Sequence, residues 1–321
     1  MAQQNPYPTS TPNSTPTSTP TSTPPSIPNP TPSSSNYRSL YCWAPDNLLE
    51  ETSSFTSLAS IAAYRKKHTC HKSRVFGKDH DKYVRVVSCR VGEPVCSDES
   101  SEPKRPFCFI YSTVLRRLSL RLPFTTFERS LLTEVNVAPS QLHPNSWAFV
   151  RAFAILCHYL GHTPSVDVFL YFFKAKSSGQ KLWVSFNGVV GRVLLTLFQQ
   201  SYKGFKKHFF KIRCNKRDPI LLDGFPLYWA EKPNLQKPRC LENIPSQERE
   251  VCDLLSGLQA PFNTVELLKL KFSPKALKDY IGTLFDSTFT CLYLHTVLVW
   301  PLMHCCFLVQ AWCSMLKRGG I

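Results

Sequence analysis

The sequence predicts an α+β fold in which a helical core packs on a small antiparallel sheet, preceded by a disordered Ser/Thr/Pro tail. Three observations lead there. Apolar residues recur at helical spacing from Thr125 to Phe173, and after Lys174 the pattern shifts to short β-branched and aromatic segments separated by glycine and polar turns. Residues 1–36 hold no charged side chain, and 26 of them are Ser, Thr or Pro. Helices repeat every 3.6 residues and strands every 2.0, so the change of period marks a change of element.

Imperfect Thr-Ser-Thr-Pro repeats in residues 1–36 have almost nothing apolar to bury against the entropy of ordering. The segment is therefore expected to stay disordered and partly polyproline-like. Residues 37–106 form a mixed N-terminal region and linker that opens on Tyr41-Cys42-Trp43-Ala44-Pro45. A short helix is expected over Ser54 to Lys66 and a strand over Tyr83 to Val91. The close, Ser97-Asp98-Glu99-Ser100-Ser101-Glu102-Pro103-Lys104, is polar and proline-punctuated, as a linker or exposed loop is.

Residues 107–217 carry the main domain. Thr125 and Glu128 have the spacing of a capping box, in which each side chain satisfies an orphan backbone donor at a helix start. Phe127, Leu131, Leu132 and Val135 then share one face. A second helix starts after Pro144 and Asn145, continues through Trp147, Val150, Phe153 and Leu156, and ends at Gly161, the residue best suited to a left-handed C-terminal cap. Only Arg151 and His158 interrupt its apolar surface, which places it at the centre of the domain. A third helix takes Thr163 as cap and Pro164 as first residue and runs to Phe173. Gln141 and Asn145 read as part of the turn that caps the second helix, and Trp147 and Trp183 as core. Strands are expected over Lys181 to Asn187, Arg192 to Leu197 and Lys207 to Arg213, paired as one three-stranded antiparallel sheet.

Residues 218–288 hold a proline-rich stretch, expected to be irregular to residue 250, and an amphipathic helix over Thr264 to Tyr280 that Pro274 interrupts. Residues 289–321 form an apolar tail. From Phe289 to Leu316 it has 28 residues without a formal charge, more than the ~20 a helix needs to cross a bilayer. It also contains Pro301, His295, His304 and Gln310, an unusual mixture for a membrane span. Three readings stay open: a transmembrane helix, a translated intron or frame-shifted end, and a buried helix.

The formal net charge is +16, a balance that favours polyanions such as nucleic acid or an anionic membrane surface. The chain has 13 cysteines, but Met1 to Ser10 show neither the basic start nor the apolar stretch of a secretory leader. Reduced thiols in the nucleus or cytoplasm are the expectation.

No catalytic set emerges. His68, Cys70, His71, His80, Cys89 and Cys96 lack the paired spacing that lets two ligands of one turn grip a zinc ion, and the chain has no Cys-x2-Cys. Asp286-Ser287-Thr288 lacks the glycine of an aspartic-protease turn, and no acidic pair stands where a polymerase would hold two metal ions. Phosphate-loop, nucleophile-elbow and dinucleotide fingerprints are missing too. The reading is non-enzymatic, with no cofactor and no metal.

The remaining candidate is a basic run. Lys203, Lys206, Lys207, Lys211, Arg213, Lys216 and Arg217 place seven cations between Ser201 and Arg217, with no acid until Asp218. Such cations neutralise phosphates by releasing counterions, and Tyr202, Phe205, Phe209 or Phe210 could offer faces to unpaired bases. Strand alternation gives the competing reading, with Phe209 in the core and the lysines in solvent.

Several words of this region occur in a recognisable order: Leu122-Pro123-Phe124, Ala138 to Trp147, Phe169 to Phe173, Trp183-Val184-Ser185-Phe186 and Ser201 to Phe210. Together they resemble the plant putative gypsy-type transposon domain of retrotransposon-derived proteins. The family's Ser-x-Lys-Gly-aromatic-Lys-Lys segment usually carries Trp where this chain has Phe205. The resemblance implies descent from a retrotransposon; taken with the basic run, it leads to the expectation of a non-enzymatic, gag-like or nucleic-acid-handling module, with single-stranded nucleic acid and self-association as partners. A tail-anchored membrane protein with a cytosolic basic domain is the alternative.

Overall fold

The computed structural model describes residues 34–69, 84–98, 106–118, 120–177, 182–198, 202, 204–214, 222–235, 237–258 and 261–270. The expectations for residues 1–33 and for the apolar tail 289–321 lie outside the described residues. Among the described residues no helix is long and apolar enough to cross a membrane.

Three helices come first: α1 (Ser34–Leu40), α2 (Asp46–Leu49) and α3 (Leu58–Thr69). Strand β1 (Val84–Val87) occupies the first half of the stretch predicted as extended. Strand β2 (Cys108–Tyr111) runs directly into the short helix α4 (Ser112–Arg117). Helix α5 (Thr126–Glu134) starts as predicted. Thr125 Oγ1 accepts the Glu128 amide at 3.2 Å while Glu128 Oε2 accepts the Thr125 amide at 2.8 Å, the reciprocal capping box.

Helix α6 (Pro144–Tyr159) is the central helix, with Trp147, Val150, Phe153 and Leu156 all buried. Its N-cap is His143, whose Nδ1 accepts the Asn145 amide at 3.1 Å. Gly161 ends the helix at φ 76°, and the amides of Gly161 and His162 return to the carbonyls of His158 and Cys157. Helix α7 (Val166–Phe172) is capped by Ser165, two residues beyond the predicted Thr163. Strand β3 (Phe173–Ser177) follows at once, where the sequence suggested only the end of a helix, and pairs antiparallel with β4 (Val184–Gly188). Rings of Phe153, Phe169, Phe173 and Phe186 join these layers, with Phe169 4.6 Å from Phe173 and 4.9 Å from Phe186.

Strand β5 (Phe209–Cys214) is the centre of a three-stranded antiparallel sheet ordered β1-β5-β2. The expected sheet is corrected here. The segment 207–213 pairs with strands from far upstream, β4 belongs to a separate two-stranded sheet, and 192–197 is irregular apart from a bridge of Leu195 to Phe262. Strand β1 is hydrogen-bonded to β5 along its whole length. Helix α8 (Ser246–Gly257) begins inside the stretch read as irregular, with Pro245 at its N-cap. Helix α9 (Thr264–Leu270) begins at the predicted position, and the stretch beyond Leu270 lies outside the described residues.

The irregular segment before α8 is fastened by side chains. Gln141 Nε2 donates to the Ala230 carbonyl at 2.8 Å, and Gln141 Oε1 accepts the Ala230 amide at 2.9 Å, so one side chain imitates a strand neighbour. This bracing is the role of Gln141. Arg239 bridges Asp167 of α7 at 2.8 Å and Glu134 of α5 at 2.5 Å.

Candidate nucleic-acid interface

The basic run folds as a tight turn feeding the central strand. Gly204 takes φ 70°, a left-handed conformation that glycine adopts without a Cβ penalty, and a 3-10 turn over Phe205–Lys207 follows. The turn is held from both sides: the Ser54 amide donates to the Lys207 carbonyl at 2.7 Å and the Ser112 amide to the His208 carbonyl at 2.8 Å.

Within this frame the predicted cations separate. Lys206 Nζ lies 2.7 Å from Glu51 Oε1 and 4.6 Å from the Trp183 ring centroid, so its charge is largely answered inside the protein. Lys207 is exposed. Arg213 is half-buried, its Cζ 5.8 Å from the Phe107 ring. Lys203, Lys216 and Arg217 lie outside the described residues.

Lys211 requires a correction, for its side chain is 0% exposed and its Nζ sits 2.7 Å from the equally buried Glu93 Oε1. Alternation puts Lys211 on the same face of β5 as Phe209, and both faces of β5 are buried from Phe209 to Ile212. The rings of Phe107 and Phe109 flank the ammonium at 4.5 and 5.9 Å. Burial pulls the Lys211 ammonium below the usual lysine range, and the Glu93 carboxylate beside it opposes that shift. It cannot reach a phosphate.

The aromatics of the run are spent on packing. Phe209 and Phe210 are fully buried, and Phe205 meets the Tyr111 ring at 5.0 Å and the His143 ring at 5.4 Å. Burial lowers the His143 pKa, and nearby Lys206 adds to the effect, which suits a ring whose Nδ1 must stay unprotonated to cap α6. Trp183 is core as expected, its indole N–H donating to Tyr111 Oη at 3.2 Å.

The two buried carboxylates among the described residues are committed to structure. Glu93 accepts from Lys211 and from the Arg90 amide at 2.8 Å. Glu128 completes the capping box and faces Arg151 Nη1 at 3.8 Å, with burial pushing its carboxyl above the usual range. The described cysteines are all free thiols, and burial pushes Cys89, Cys96 and Cys157 up to about 12, which leaves them protonated.

One feature of the surface escaped the sequence reading. Helix α4 ends on Arg116 and Arg117, both exposed, and the Arg117 guanidinium carbon lies 5.9 Å from the ring centroid of Tyr202, the residue that leads into the basic turn. The adjacent arginines were a visible signal, but only the pairing of β2 with β5 brings them beside the run.

The fold and its basic turn thus define a small α+β module with structural acids and a cationic surface. Residues 109–177, from β2 to the end of β3, match the protein family described as "Putative gypsy type transposon". Over that stretch the chain carries a domain similar to the gypsy-type transposon family. The match ends before Trp183 and before the run at Ser201 to Phe210, so the last two words of the resemblance stand outside it. Neither the comparison with curated proteins nor that with solved structures gives a match.

Proposed function

We propose that this protein is a non-enzymatic, gag-like module that handles single-stranded nucleic acid. The observation that carries the reading is a gypsy-type domain at 109–177 set in a chain of net charge +16. A retroelement protein of that charge has its own transcript as the nearest polyanion, and the phosphate backbone supplies most of the affinity in such contacts. The commitment of Glu93 and Glu128 to structural partners supports a binding rather than a catalytic role.

The test is fluorescence anisotropy of the full chain with a labelled single-stranded oligonucleotide over a salt series. Affinity should fall with salt at a log–log slope of about −0.7 per phosphate contacted. Binding that is absent, or indifferent to salt, refutes the reading. The protein is expected in the nucleus or cytoplasm, with or without residues 289–321. Membrane retention that depends on that segment would favour a tail anchor instead.

A further inference from the structure

We infer that the phosphate-binding surface is centred on Arg116 and Arg117 of α4, with Tyr202 beneath Arg117 and the turn that exposes Lys207 tied to the start of the same helix, and that it takes the sugar–phosphate backbone of a single strand. The inference rests on the nucleic-acid reading above and assigns it a different place from the strand lysines.

The first ground is charge that no carboxylate among the described residues answers. Lys206 and Lys211 each hold a carboxylate at 2.7 Å, and Arg151 and Arg239 are likewise matched to acids. Among the described residues, no carboxylate lies within ion-pair distance of Arg116 or Arg117, although both are exposed. Guanidinium groups present forked N–H donors that fit phosphate oxygens bidentately, and they shed water more readily than ammonium groups.

The second ground is rigid placement. Ser112, Thr113, Val114 and Leu115 are buried and seat α4 in the core, so only its last two residues project. On one side the Tyr64 hydroxyl donates to the Ser112 carbonyl at 3.3 Å, which docks α3 against the helix. On the other the basic turn lies alongside, with His208 joined to Ser112 at one end and Tyr202 under Arg117 at the other. The arginine pair therefore stands between α3 and the turn that exposes Lys207. Burial pushes the Tyr202 phenol up to about 12, so it stays neutral and adds no negative charge against an incoming phosphate.

The experiment compares wild type with R116Q/R117Q in the full chain, using a labelled oligothymidine and a salt series. Two lost phosphate contacts should lower the salt slope by about 1.4, which near 0.1 M salt weakens binding about 25-fold. R116K/R117K should keep the slope, and K174Q/K176Q on β3, an equal loss of exposed charge, should leave it unchanged. Thermal melts of all variants should match wild type. If wild type binds with a salt slope that R116Q/R117Q does not alter, this assignment fails while the nucleic-acid reading stands. If wild type shows no salt-dependent binding, both fail. Capture of a polyglutamate peptide without the oligonucleotide would assign the surface to an acidic protein and overturn the inference.

Discussion

Replacing Lys211 with Met should destabilise the protein by about 3 to 5 kcal/mol, the usual cost of leaving one member of a buried ion pair without its partner. Both side chains are 0% exposed and 2.7 Å apart, so water cannot replace the lost ammonium at Glu93. Glu93 still accepts the Arg90 amide at 2.8 Å and the Ser97 hydroxyl at 3.4 Å, which favours the lower end of that range. Even 3 kcal/mol is a large part of the ~5 to 15 kcal/mol that holds a domain together. Urea denaturation measures the loss, and the double variant K211M/E93Q should recover much of it, since a neutral amide can keep the Arg90 contact without a buried charge. A K211M loss below about 1 kcal/mol, or a double variant that is merely additive, would refute the buried pair. Lys207→Gln, by contrast, should leave stability within about 0.5 kcal/mol because the side chain is exposed.

Phe153→Ala should cost about 3 to 5 kcal/mol in chemical denaturation, since a fully buried ring between Phe127 and Phe169 leaves both a transfer loss and a cavity; a cost under about 1 kcal/mol would make it peripheral. Gln141→Ala should cost about 2 to 4 kcal/mol by stranding the Ala230 amide and carbonyl, and hydrogen exchange at the Ala230 amide should accelerate. For His143 the folded pKa lies below its ordinary value of 6.5, so between the two the unfolded chain binds more protons and acidification lowers stability. His143→Asn keeps a capping side chain but does not titrate. The difference in melting temperature between wild type and this variant should shift against wild type as pH falls through 6.5, and a difference independent of pH would contradict the assignment.

The sequence by itself determined the elements whose cause is local. The reciprocal bonds of Thr125 and Glu128 span three residues, and the helix from Pro144 to the left-handed Gly161 is written in its own apolar spacing and cap. The start of α9 at Thr264 was legible for the same reason. Strand partners were not. An alternating segment announces a strand but not its neighbours, and β5 found its own in β1 and β2, more than a hundred and about a hundred residues upstream, respectively. That choice decided the fate of the basic run. Period 2 puts Phe209 and Lys211 on one face, yet only the tertiary structure covers that face and supplies Glu93 to receive the charge. The same pairing carried Arg117 to the side of Tyr202. Burial and juxtaposition are properties of residues distant in sequence, and so they are fixed by packing, whereas caps and turns are fixed by neighbours along the chain.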